Sequence, residues 1–258
     1  MITITAIFLF FAIMVKGEMK TDAKSITLPE GVFTRGDLLD AASAQLGLRE
    51  TQLRNLLAAL LDSGRVSRVG RGRYTASPSS KHGYVGPYSE EARGLATSLR
   101  ESFPLLDIRV WELGWLNEFL THQIAVSCLF VEVESLGMER VFEEVDSTFD
   151  GRVLLAPSAE DYLRYGKDGC VVVGRLISES PCPGPEGWEV GLEKLAADLV
   201  ANKLVRSIVS GHDRKIALAE MLSSYAVNQV AMMRYARRRG KEPELRSALA
   251  EAGVELYV

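Results

Sequence analysis

Four arginines fall within nine residues, at Arg65, Arg68, Arg71 and Arg73, around the turn Gly70-Arg71-Gly72. Guanidinium groups this dense suit phosphate, because each is permanently charged and offers a planar fork of donors. Just upstream, Thr51, Gln52, Arg54 and Asn55 supply hydrogen-bonding side chains of the kind that read base edges in a major groove. Asp62 is the acid nearest these arginines in sequence.

A second basic cluster, Arg234, Arg237, Arg238, Arg239 and Lys241, has four arginines in six residues. It reads either as a charged helix end, where cations complement the helix dipole, or as a second nucleic-acid contact. Acids gather in sequence at Asp107, Glu112, Glu132 and Glu134. On neighbouring strands such acids hold a divalent cation in restriction-type nucleases. That chemistry also wants a lysine two residues after Glu132, where Glu134 stands. His82, His122 and His212 lack ligand spacing, and His122 reads as the polar end of a packed helix. There is no Walker loop, no GxGxxG, no GxSxG elbow and no Gly-Ser loop with paired aspartates. The residues therefore assign no catalytic group, no metal and no cofactor.

The elements that would position the basic residues follow from patterning. Thr34-Arg-Gly-Asp37 reads as a capping box. Leu38, Leu39, Ala42 and Leu46 follow at helical spacing until Gly47-Leu48. A second helix is predicted from Arg49 to about Asp62, with Leu53, Leu56, Leu57, Leu60 and Leu61 as its buried stripe. Thr51 and Asn55 lie opposite that stripe, flanked by Gln52 and Arg54, and Ala58 is small enough for close approach. Ser63-Gly64 closes the helix, and Val66–Val69 and Arg73–Ala76 alternate as a hairpin. Helix, tight turn, helix and basic wing make residues 25–77 a winged helix-turn-helix, with double-stranded DNA as the expected partner.

Residues 78–88 read as a linker rich in Ser, Gly and Pro, and residues 89–258 as an α/β domain with a helical C-terminal section. Ser89 caps a helix from Glu90 to about Ser102. Strands are predicted at Asp107–Leu113, Ile124–Glu134, Arg152–Ala156 and Cys170–Ile177. Between them come helices at Trp115–His122, Gly137–Val145 and Ala159–Tyr165. A loop over Pro181–Gly187 leads to helices Gly191–Ser210, Arg214–Val227 and Asn228–Gly240, then a tail.

The chain has 258 residues, 47% hydrophobic and 25% charged, which excludes extended disorder. Its net charge of −4 averages unlike parts: residues 1–80 hold 10 Lys/Arg and 7 Asp/Glu, and the rest hold 20 and 27. Cys128, Cys170 and Cys182 make no CxxC pair and suit a reducing, cytoplasmic setting, with the first two in apolar core runs. Residues 1–18 form an apolar extension, in which Ile2–Val15 is shorter than the roughly 20 residues a membrane span needs. No Lys or Arg precedes it and no small-x-small site follows. Among a secretory signal, a short anchor and a misplaced start, the residues favour a start at Met19, and no membrane partner is expected.

The wing segment RVSRVGRGRYTAS (residues 65–77) is similar to the N-terminal domain of the AbiEi family of abortive-infection antitoxins. Val110–Gln123 (VWELGWLNEFLTHQ), Phe130–Glu134, Leu176–Glu179 and Asn228–Gly240, ending RYARRRG, resemble that family's C-terminal domain in the same order. The similarity covers roughly residues 28–250. It implies an antitoxin of a type IV toxin–antitoxin pair acting in phage defence. The winged helix would repress its own promoter at repeats, through Thr51, Gln52, Arg54, Asn55, Arg68, Arg71 and Arg73. The second domain would counter a nucleotidyltransferase toxin without a stable complex. A stand-alone regulator and a metal-dependent nuclease using Asp107, Glu132 and Glu134 are the alternatives. The apolar start departs from the family pattern.

Overall fold

The computed structural model of the chain describes residues 26–62, 65–76, 83–182, 184 and 186–256. The apolar extension 1–18, the start at Met19, the Ser63-Gly64 closure and His82 lie outside these residues. The described chain is mixed α/β, with two small sheets. It forms two compact units, one of the described residues up to Gly83 together with Asn228–Val230, the other of Tyr84–Val227 and Ala231–Leu256. Among the described residues no helix is long and apolar enough to cross a membrane.

The first unit runs β1 (Val32–Thr34), α1 (Arg35–Leu46), α2 (Glu50–Asp62), β2 (Val66–Gly70) and β3 (Arg73–Ala76). Its sheet is antiparallel in the order β1-β3-β2. Thr34 begins α1 as expected: its side chain accepts from Asp37 N, and Asp37 Oδ2 accepts from Thr34 N at 2.7 Å. Donation from the Thr34 backbone N–H and then from its hydroxyl holds the Asp37 carboxyl below its ordinary pKa. Gly47 ends α1 at φ 64°, a left-handed conformation that favours glycine. Leu53, Leu56, Leu57 and Leu60 turn inward and pack with Phe33, Leu38, Ala42 and Tyr74. Burying each leucine side chain contributes roughly 1.5–3 kcal/mol. Leu61, expected in that stripe, is 37% exposed, because the fifth position has rotated past the edge of the core.

The second unit holds a four-stranded sheet of β4 (Ile108–Glu112), β5 (Cys128–Val133), β6 (Val153–Leu155) and β7 (Cys170–Arg175). The strand order is β4-β5-β7-β6, with β4 antiparallel to β5 and the other pairs parallel. Helices α3 (Glu90–Ser102), α4 (Met138–Phe149) and α5 (Ala159–Tyr165) accompany the strands. Five more close the chain: α6 (Leu192–Ala201), α7 (Lys203–Ile208), α8 (Gly211–Ser224), α9 (Gln229–Arg238) and α10 (Glu242–Glu251). Ser89 caps α3 by accepting from Ala92 N, and Pro104 stands just past its end.

Several boundaries differ from expectation for identifiable reasons. The 113–118 segment is a 3-10 helix rather than an α-helix at Trp115–His122, and Leu113 and Leu116 bury at its three-residue period. β5 starts at Cys128 rather than Ile124, because the Asn117 side chain claims both backbone polar groups of Ile124. The Ser127 N–H likewise goes to Asp168 Oδ1. The expected helix Gly191–Ser210 breaks at Asn202, whose side chain accepts from Leu204 N and Val205 N and starts α7. Ser210 caps α8, which starts at Gly211, three residues before the expected Arg214. The supposed tail contains α10, with Pro243 in its first turn and Leu245 and Leu249 fully buried.

Residues 78–82 of the predicted linker are outside the described chain, and Tyr84 and Tyr88 pack on the second core while Val85 between them is exposed. Tyr88 stands edge-on to Trp115 and Trp188 and accepts a hydrogen bond from Val190 N. Gly86 lies so close to the Trp115 ring that a Cβ there would come within 2.5 Å of it.

Candidate nucleic-acid interface

Burying the leucine stripe of α2 leaves Thr51, Gln52, Arg54, Asn55 and Ala58 exposed on its other side. Gln52 is partly committed, since its Oε1 accepts from Arg49 N at 3.0 Å and so helps begin α2. On the hairpin, Arg68, Arg71 and Arg73 are exposed, with Arg68 Nε donating weakly to the Gly70 carbonyl at 3.4 Å. Arg65 differs: it is half-buried and donates to the Ile26 carbonyl at 2.7 Å, tying β2 to the start of the unit. Gly72 makes the turn at φ 68°. Among the described residues, Arg54, Arg68, Arg71 and Arg73 form no ion pair with a carboxylate. Their charge therefore faces solvent uncompensated.

The second basic cluster is arranged oppositely. Arg234 pairs with Glu179, Arg237 with Glu242 at 2.5 Å, and Lys241 with Glu244 at 2.5 Å. Arg238 donates to Ser178 Oγ. Arg239 reaches inward to Asp198 at 2.5 Å. Every cation of this cluster is engaged within its own unit.

Arg239 belongs to a buried polar network that sequence reasoning missed. Lys194 of α6 is fully buried, with its Nζ 2.6 Å from Glu132 Oε1 and 2.5 Å from Asp198 Oδ2. Trp111 Nε1 donates to the same Glu132 oxygen, and the Lys194 ammonium stands 5.2 Å from the centre of the Trp111 ring. Asp198 Oδ1 accepts from Tyr235 and Arg239. Two cations and two anions cancel, which makes burial tolerable. Burial pushes the Lys194 pKa down, but the Asp198 and Glu132 charges more than reverse it and hold the ammonium charged. Burial, then the Asp198 charge, raises the Tyr235 phenol. A Lys and an Asp four residues apart inside the apolar run LEKLAADLVA was the available signal.

The four acids considered for the nuclease alternative do not meet at one point. Glu132 is taken up by Lys194, and Glu112 accepts from Ser89 N at 2.7 Å. Asp107 and Glu134 are exposed beyond the strand ends. Among the described residues no three His, Cys, Asp or Glu side chains converge on a common point suited to a metal ion. His122 is not on a helix but has an exposed side chain whose Nδ1 lies 3.2 Å from the buried Asp213. Hydrogen bonds from Ser210 and then His122 hold the Asp213 carboxyl below its ordinary pKa. Cys128 and Cys170 are buried on adjacent strands, with their sulfurs 3.2 Å apart.

The model of a family of unknown function, DUF6577, matches residues 52–254, and the chain belongs to that family. No curated protein and no solved structure matches it.

Proposed function

We propose that this member of the DUF6577 family is a double-stranded DNA-binding regulator whose residues 25–77 act as a winged helix-turn-helix. One observation carries the reading. Arg54 on α2 and Arg68, Arg71 and Arg73 on the hairpin are exposed without carboxylate partners, beside the polar residues Thr51 and Asn55. The basic side chains near residue 240, by contrast, are all engaged. In this reading α2 enters the major groove, Thr51, Arg54 and Asn55 address base edges, and the wing arginines hold phosphate. Gln52 contributes less, because it already serves the helix start.

A mobility-shift assay with the DNA upstream of the gene tests this. Binding is expected to be salt-sensitive. Arg71→Ala with Arg73→Ala should weaken it on every sequence and flatten the salt slope by about one unit per lost phosphate contact. A wild-type protein that ignores this DNA at low salt overturns the reading.

The similarity to the AbiEi family extends it: repression of its own promoter at repeats, and an antitoxin action against a nucleotidyltransferase toxin without a stable complex. This second part is supported by sequence resemblance alone. Co-expression with a nucleotidyltransferase encoded beside the gene tests it, with relief of growth arrest as the expected result. If arrest persists, a stand-alone regulator is left.

A further inference from the structure

The end of α7, the start of α8 and one face of α10 from Lys241 to Glu251 line an open cavity of about 440 Å³ that holds Arg206, Arg214, Lys215 and Lys241, with Glu244 and Glu251 as the acids. Lys241 is paired with Glu244 and Lys215 with Glu251. Among the described residues the two guanidinium groups Arg206 and Arg214 make no close ion pair, although Arg206 stands near enough to Glu244 for its charge, after the Lys241 hydrogen bond, to help lower that carboxyl's pKa. Four cations against two anions give the cavity a formal charge of +2.

Arg214 is held in place. Its Nη1 donates to the carbonyls of Arg206 and Val209 at 3.1 and 3.3 Å, closing the end of α7. Its Nη2 lies over the first residue of α8, where a Cβ added to Gly211 would meet it at 3.5 Å. Burial, and then the neighbouring Arg206 charge, push the Arg214 guanidinium below its ordinary pKa, as expected of crowded like charges. Gly211 also lines the cavity and opens the fourteen-residue helix α8, so the positive end of that helix adds to the field.

We infer that this cavity binds a small oligophosphate, of pyrophosphate or nucleoside di- or triphosphate type. Such a ligand brings at least about two negative charges, which neutralises the cavity, and offers several oxygens to cations spread over three elements. The volume falls in the range of about 300–1,000 Å³ common for small-ligand sites. The shared chemistry is the phosphate group, and the committed source is a free oligophosphate rather than the DNA backbone. The inference goes beyond the DNA-binding reading and does not depend on it.

Calorimetric titration of the full chain with inorganic pyrophosphate, with ATP and with a double-stranded oligonucleotide separates the possibilities. Saturable, salt-sensitive binding of pyrophosphate and ATP is expected, with a raised thermal midpoint. Arg206 is exposed and makes no ion pair, so Arg206→Gln should fold as the wild type, with an unchanged ligand-free melting curve. Its affinity for pyrophosphate should fall by about tenfold or more, the loss of a charge-assisted contact. Arg206→Lys should recover part of it, and oligonucleotide binding by Arg206→Gln should stay at the wild-type level. The inference fails if neither pyrophosphate nor ATP saturates at low salt, or if Arg206→Gln binds them as the wild type does. It also fails if the oligonucleotide alone binds and Arg206→Gln loses it.

Discussion

Lys194 shows how much one side chain can hold. Its ammonium is the shared partner of Glu132 and Asp198, and none of the three is more than 5% exposed. Removing it leaves two carboxylates buried and under-compensated. Lys194→Met is therefore expected to destabilise the second unit by about 3–5 kcal/mol, read from the urea unfolding midpoint. A loss below about 1 kcal/mol would mean the network is better hydrated than its geometry implies. Glu242 provides a pH-dependent case at the same scale. Hydrogen bonds from Arg237 and then Arg246 lower its pKa from 4.5 to about 2. Since the folded value is depressed, the pairing stabilises fully above about pH 4.5 and is lost as pH falls toward about 2. The thermal midpoint should drop across that window, and less steeply in Glu242→Gln; equal slopes would refute the assignment. Lys194 and Glu242 each have one partner four residues along the same helix, Asp198 and Arg246, but the other, Glu132 on β5 and Arg237 across a turn, comes from elsewhere and is not legible in the sequence.

At the scale of elements, local chemistry was the most legible part of the chain. Thr34 and Ser89 start their helices where the sequence places them, because a hydroxyl that caps backbone N–H groups works within one turn. Thr34→Ala should cost the first unit about 1 kcal/mol, and a matching drop in its unfolding midpoint would verify it. The misplaced boundaries share a cause. Ile124 left its expected strand because Asn117, seven residues away, binds both of its backbone polar groups. The long helix after Gly191 ended early because Asn202 caps a new one. Asparagine competes with regular structure in both places, and its choice depends on which backbone groups the fold brings near.

At the scale of the whole molecule, the apolar side chains sort into two separate cores, one within residues 26–76 and one from Tyr88 to Leu249. A fragment of residues 84–256 is therefore expected to unfold cooperatively by itself, with the far-ultraviolet signal of its sheet and helices intact. Loss of that signal in the fragment would show that the second core needs the first unit. Composition and periodicity by themselves determined the α/β class, the succession of most helices and strands, and the exposure of Arg54, Arg68, Arg71 and Arg73, since each depends on neighbours within a turn or a hairpin; they did not show that Arg65, grouped with the wing arginines, turns back to the Ile26 carbonyl. Only the tertiary structure decided what each charge meets. It tied down the cluster from Arg234 to Lys241, spent Glu132 on Lys194, and left Arg206 and Arg214 without a close ion pair around a cavity. Coulomb energy depends on distance through space and on the water excluded between groups, and spacing along the chain encodes neither.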